Sequence, residues 1–156
     1  LHTNDAATAL PRLIDMKIEP FLVASTVNII IAQRLVRRIC SECKAPFNIK
    51  KEELVKDISE KKLAKFFSKN KVIYKGRGCK VCHFTGYSGR VGIFEVIELT
   101  EKTRGLIIAK SDSDVIQKHA ILEGMTNMLD DGLLKVASGI TTIEEVMRVA
   151  KTEPIS

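Results

Sequence analysis

A chain of 156 residues with 45% apolar and 28% charged side chains is long enough to bury a sizeable core and does not have the profile of a disordered protein. Tryptophan is absent, so the core is expected to be mainly aliphatic. The formal charge of +6 invites a nucleic-acid partner, but the basic residues are widely spread and four thiolates on one zinc ion would lower the charge to about +4, so basicity alone is weak support.

The start, LHTNDAATALPRL, lacks the basic-then-apolar order of a secretory signal, and its first residue is not Met, so the chain is expected to be excised from something larger. Asn4 or Asp5 is placed to cap a helix through AATALPRLIDM, where Pro11 demands a break unless the helix starts there. EPFLVASTVNIIIAQRLVRRIC then reads as a long, largely buried helix, with Pro20 in its first turn and Arg34, Arg37 and Arg38 favouring the C-terminal dipole. Its uncharged run, Pro20 to Gln33, spans 14 residues and is too short for a confident membrane span.

From Lys50 to Asn70 the sequence turns charged, and Leu54, Val55, Ile58, Leu63, Phe66 and Phe67 have the spacing of one or two short amphipathic helices. VIY at 72–74 and VGIFEVIEL at 91–99 are the strand candidates, the second rich in β-branched residues. Thr100 caps a helix through EKTRGLIIA, Ser111 or Ser113 caps the next, and Gly124 stops it. TNMLDDGLLKVASG gives a further helix in which Gly132 calls for a packing reason or a local break, and Thr142 with Glu145 has capping-box spacing before EEVMRVA. The expected architecture is mostly helical with a small strand-bearing metal module.

The cysteines carry the strongest chemistry. Cys40, Cys43, Cys79 and Cys82 form C-S-E-C and C-K-V-C, with 35 residues between the pairs, and they are all the cysteines in the chain. A two-residue gap folds into a knuckle that aims both sulfurs at one ion, and two knuckles complete an all-sulfur tetrahedron that selects a soft ion such as zinc. Structural zinc ranks above two disulfides, for which the sequence gives no oxidising context, and above an iron–sulfur centre. Four thiolates close the coordination sphere, so His83 is expected on the surface or as a hydrogen-bond donor near the site, and the zinc is expected to staple structure without reacting. The glycines of GRGCKVCHFTGYSGRVGIFEV lack the G-x-x-x-x-G-K-[ST] order of a phosphate loop, and Gly86 and Gly89 suit tight turns.

LHTNDAATALPRLIDM, PFLVAS, IAQRLVRRICSEC, GCKVCHFTGYSGRVGIFEV and GMTNMLDDGLLKVASGITTIEEVMRVA together resemble the C-terminal part of the secretion ATPases that drive type II secretion and type IV pilus assembly. The resemblance covers essentially the whole chain. It implies an α/β parent ATPase domain, of which this chain is the mostly helical C-terminal portion with the tetracysteine zinc module. Residues 1–39 would be the end of the ATPase core, 40–99 the zinc module with its charged helical insertion, and 100–156 a C-terminal helical subdomain.

The same resemblance implies a cytoplasmic homohexamer that uses ATP and Mg²⁺ and reaches the inner membrane through platform and assembly proteins, with no direct nucleic-acid partner. Leu1-His2-Thr3-Asn4-Asp5 is similar to the family's histidine box, which makes His2 the candidate catalytic residue, with Thr3 and Asp5 positioning the segment. A terminal His2 beside a helix-capping Asp5 is the plainer reading of the same residues. Gln33, Arg34, Arg37 and Arg38 resemble the helix after that box and suit either a subunit interface or a solvated basic turn. The family's phosphate loop and acidic magnesium segment do not occur in these residues, so the chain alone is expected to be inactive. The competing class is a stand-alone zinc-stapled nucleic-acid or interaction module, but no aromatic stacking platform is visible.

Overall fold

In the computed structural model, which describes residues 5–48, 58–67 and 72–150, short helices alternate with two long and two short strands. The order is α1 (Ala9–Asp15), α2 (Pro20–Thr26), β1 (Ile29–Ile39), a 3-10 turn (Ser41–Cys43) and β2 (Lys44–Phe47). Then come α3 (Glu60–Phe66), β3 (Ile73–Gly76), a second 3-10 turn (Lys80–Cys82) and β4 (Tyr87–Glu98). The chain continues through α4 (Glu101–Ile108), α5 (Ser113–Leu122), α6 (Met128–Ala137) and α7 (Ile143–Ala150). The fold is a mixed helix and strand one, less helical than the sequence suggested.

The largest departure is the long helix expected from Glu19 to Cys40. Pro20 does open a helix, but that helix lasts seven residues and is followed by the 11-residue β1. Val27 is already extended, and Val27, Ile29, Ile30 and Ile31 form a β-branched cluster whose stiff side chains suit a pleated surface better than a helical turn. Arg104 closes the end of α2: its guanidinium donates to the carbonyls of Ala24 and Val27 and, at 3.0 Å, to Asn28 Oδ1. Arg34, Arg37 and Arg38 therefore lie on a strand, where no helix dipole acts on them.

Elsewhere the local chemistry is closer to expectation. Pro11 falls in the first turn of α1, where a missing N–H leaves nothing unsatisfied, and Asp5 bonds the N–H and hydroxyl of Thr8 at 2.7 and 2.8 Å, capping the turn that leads in. Thr100 caps α4 through Thr103 N–H, whereas α5 has Asp112 at its N-cap in place of either serine. Gly124 follows α5 with φ 102°. β3 and β4 appear near the two strand candidates, β4 starting four residues early at Tyr87, while β2, a four-residue strand that carries Pro46 opposite Tyr74, was not anticipated.

The chain divides into two units, one from Leu1–Gln33 and Phe94–Met128, the other from Arg34–Ile93 and Leu129–Ser156. In the first, Ala6, Leu10, Val23, Ile97, Leu99, Ile107 and Ile116 form an aliphatic core. In the second, Ile58, Phe66, Ile73, Leu129, Leu133, Val136, Val146 and Met147 form another. Ile58 and Phe66 thus anchor part of the charged 50–70 stretch; Leu54, Val55 and the side chain of Leu63 lie outside the described residues. Within the second unit β2 and β3 pair antiparallel, Lys44 opposite Gly76 and Phe47 opposite Ile73. β1 and β4 are hydrogen-bonded neighbours in a separate two-stranded sheet.

Gly132 has the packing reason its place in a helix demanded. A Cβ there would lie 2.5 Å from Val146 Cγ1, so the glycine lets α6 and α7 approach. Gly132→Ala is expected to destabilise by about 1 kcal/mol, because overpacking of about 1–3 kcal/mol exceeds a helix-propensity gain of about 1 kcal/mol. In a Val146→Ala background the same change should become neutral or stabilising. Thermal melts of the four proteins check this, and an equal cost in both backgrounds would place the clash elsewhere.

Candidate metal centre

Each cysteine pair is turned inward by its own short 3-10 segment. After β1, Ser41–Cys43 brings Cys43 back beside Cys40; before β4, Lys80–Cys82 does the same for Cys79 and Cys82. The second turn reverses through left-handed residues, His83 at φ 50° and Phe84 at φ 61°, with Phe84 N–H closing on the Cys79 carbonyl at 2.8 Å. The two loops are tied by backbone bonds from Cys40 N–H to Gly86 and from Arg77 N–H to Cys43, both 3.0 Å.

Close approach of the loops depends on a pair of glycines. Gly76 ends β3 directly against Gly86; a Cβ on Gly76 would run into the Gly86 carbonyl, and one on Gly86 would lie 2.7 Å from the Gly76 oxygen. Gly86 also holds φ 77°, which disfavours a side chain regardless of space.

The four sulfurs lie within 4.8 Å of one another. Cys40 and Cys79 are 3.9 Å apart, Cys43 and Cys82 3.8 Å, and Cys79 and Cys82 3.7 Å. A tetrahedron of zinc–sulfur bonds about 2.3 Å long has edges of about 3.8 Å, so the donor set fits one ion at its centre. All four cysteines are free of disulfides. Cys40 and Cys82 are buried, and Cys82 Sγ accepts N–H groups from Cys79 at 3.2 Å and Gly86 at 3.3 Å.

Those bonds split the acidities of the cluster. Burial pushes the Cys43 thiol up to about 11, with the neighbouring sulfurs adding to the rise. Burial also acts upward on Cys82, but the N–H groups of Cys79 and Gly86 and the thiols of Cys79 and Cys43 outweigh it and bring Cys82 down to about 6. The two N–H groups aimed at Cys82 Sγ favour its thiolate form, the form that binds a cation. His83 is exposed, and among the described residues the group of potential metal donors consists of the four cysteines alone.

Sequence reasoning missed two buried carboxylates. Glu145, 2% exposed, accepts the Arg37 N–H at 2.9 Å, the Arg37 guanidinium at 2.7 Å and the Arg148 fork at 2.9 and 3.2 Å. Burial opposes its ionisation, but the two guanidinium groups and the Arg37 N–H hold it at about 2. Arg37 also lies 4.2 Å over the Tyr87 ring, whose hydroxyl meets Thr142 at 3.0 Å. Thr142 Oγ1 receives Glu145 N–H at 3.4 Å, so half of the expected capping box forms while the carboxylate turns to the arginines. The second carboxylate, Glu95 in the first unit, is fully buried on β4.

The remaining candidates are dispersed. His2 and Thr3 lie outside the described residues, while Asp5 occupies the turn before α1. Gln33, Arg37 and Arg38 are exposed on β1 and Arg34 is half-buried there.

Residues 1–148 match the family described as Type II/IV secretion system protein. The chain is 43% identical over 154 residues to the Type II secretion system ATPase E of Vibrio cholerae, covering 97% of this chain and 29% of that protein. It is 40% identical to the Type II secretion system protein E of Pseudomonas aeruginosa, over 98% of this chain and 29% of the relative. It is 41% identical to the Type IV pilus assembly ATPase PilB of the same organism, over 97% and 26%. The chain thus spans 26–29% of the length of these relatives.

Proposed function

The chain belongs to the type II/IV secretion system protein family, and from that premise we propose that it is the C-terminal portion of an ATP-hydrolysing motor for type II secretion or type IV pilus assembly. The observation that carries this reading is identity of about 40% along nearly the whole chain to proteins named as ATPases of both systems. Similar identities to the two kinds of relative favour neither system.

In this reading the whole protein is a cytoplasmic homohexamer that binds ATP with Mg²⁺ and works on inner-membrane platform and assembly proteins. Among the described residues no helix is long and apolar enough to cross a membrane, and the proposed attachment runs through those partners. Residues 1–39 belong to the end of the ATPase core, 40–99 to the metal module and 100–156 to a helical subdomain. The sulfurs of Cys40, Cys43, Cys79 and Cys82 would hold one zinc ion, which would supply a closed structural cross-link. Support for that assignment is the match between the sulfur–sulfur edges and a single-ion tetrahedron. His2 belongs to the nucleotide neighbourhood, with Asp5 turning the chain into α1.

The experiment compares the isolated chain with the whole protein. The chain alone should show no magnesium-dependent hydrolysis above buffer, since it carries neither phosphate loop nor acidic magnesium segment, and the whole protein should hydrolyse ATP. His2→Ala in the whole protein should lower turnover by about tenfold or more while changing nucleotide affinity far less. Unchanged turnover would remove His2 from the site, and a whole protein without ATPase activity would defeat the reading entirely.

A further inference from the structure

β4 points Ile93, Glu95 and Ile97 inward, all fully buried. An apolar residue at the middle position would suit that pattern, and burying a carboxylate costs several kcal/mol unless its partners compensate. Two of its partners are backbone donors. Glu95 Oε1 accepts the N–H of Ala6 at 2.9 Å, and Oε2 accepts the N–H of Met128 at 3.3 Å, both bonds buried.

The Ala6 bond has the more specific consequence. Ala6 and Ala7 are each 1% exposed, so the Ala6 N–H has no water to bond and needs a protein acceptor. The acceptor comes from a side chain 89 positions away, not from the local turn. That N–H belongs to the peptide bond leaving Asp5, whose own carboxylate accepts the N–H and hydroxyl of Thr8. The Asp5–Ala6 peptide that closes LHTND is therefore held by bonds at both of its residues, and Asp5 lies three residues after His2 in the sequence.

We infer that Glu95 is a positioning residue for the histidine-box chemistry, its buried carboxylate gripping the Asp5–Ala6 peptide that directly follows the His2-bearing stretch in the sequence. The inference rests on the histidine-box reading of His2 given above. An ionised carboxylate accepts at both oxygens, whereas a Gln at this position would turn an NH₂ group toward one of the two N–H donors. Glu95→Gln preserves volume and breaks one grip; Glu95→Met removes both without leaving a buried charge.

The test uses the whole ATPase with Glu95→Gln, Glu95→Met, His2→Ala and the double variants, measuring turnover, KM for ATP and melting temperature. Either Glu95 variant should lower kcat by about tenfold with KM changed less than about twofold, as expected for a displaced reacting group. Melting should fall clearly for Met, which leaves the buried N–H groups of Ala6 and Met128 without this acceptor, and less for Gln, which keeps one of the two bonds. In the His2→Ala background, Glu95→Gln should lower kcat by less than about twofold, because the group it positions is gone. Multiplicative losses, or unchanged kcat in the single Glu95 variants, would overturn the inference while leaving His2 in place. Unfolding of both Glu95 variants would assign the residue to stability alone and overturn it too. A silent His2→Ala is a different failure, that of the histidine-box reading itself, and the inference falls with it.

Discussion

Stripping the metal with a strong chelator is expected to unfold the cysteine-bearing segments, with protease resistance and amide protection lost chiefly between Ile39 and Val96. Elemental analysis beforehand should give one zinc per chain and no disulfides. The size of the effect follows from the scale of structural zinc binding, about 10 kcal/mol or more in zinc-finger peptides, against a net stability of about 5–15 kcal/mol for a whole domain. An ion held by all four sulfurs would also join segments separated by 35 residues, a closure that costs about 3 kcal/mol in its length-dependent part. The competing view is that packing holds the knuckles and the ion is incidental. The two backbone bonds between the loops and the β2–β3 pairing favour proximity, but each bond contributes only about 1 kcal/mol, far less than an ion bound by four sulfurs. Cys79→Ser should reproduce the loosening because a neutral hydroxyl is a poor ligand. A reduced, metal-free protein melting at the same temperature as the loaded one would refute the assignment.

Glu145→Gln is expected to destabilise the protein at neutral pH by roughly 2–3 kcal/mol, the second largest single effect. A carboxylate moved from 4.5 to about 2 gains roughly 3 kcal/mol in its ionised form, trimmed because Arg37 and Arg148 are about half exposed and partly screened. The direction with pH follows from the depressed value. The stabilisation is fully present above about pH 4.5 and is lost as pH falls through about 2. Wild type and Glu145→Gln should therefore differ by a constant amount from pH 7 to about 5, and the gap should narrow below that. Comparing the two proteins at each pH cancels the common effect of acid on the cysteines. A gap that closed between pH 7 and 6 would show that another group carries the dependence.

The clustering of the four cysteines was legible in the sequence because it is local: a two-residue spacing within each pair already constrains where two sulfurs point, and finding the motif twice supplies the other half. The cap at Thr100 and the tight approach at Gly132 were legible for the same reason, whereas Asp5 binds Thr8 in the turn before α1 and the helix itself starts after Thr8. β1 was not, because Pro20 and the helix-compatible residues after it led into a β-branched run that belongs to a different element. The boundary lies at Val27, with Arg104 from α4 closing the end of α2. Glu95 and Glu145 were invisible as buried groups, since Ala6 and Arg37, which bind them, lie 89 and 108 positions away. One signal was available for Glu95, a charge placed between Ile93 and Ile97 in an otherwise apolar inward row. Glu145 was hidden behind its capping-box spacing, a surface motif that gave no hint of two arginines.

The back-to-back contact of Gly76 and Gly86 has a genetic consequence. When two large side chains press on each other, a mutation enlarging one can be repaired by a second that shrinks the other. Here both partners already have the smallest side chain there is, and the obstruction on each side is the other's main chain. A lesion at either codon has no intragenic suppressor at its partner. Drift at this spot is closed in both directions, and any revertant must restore the glycine or move backbone elsewhere in the loops.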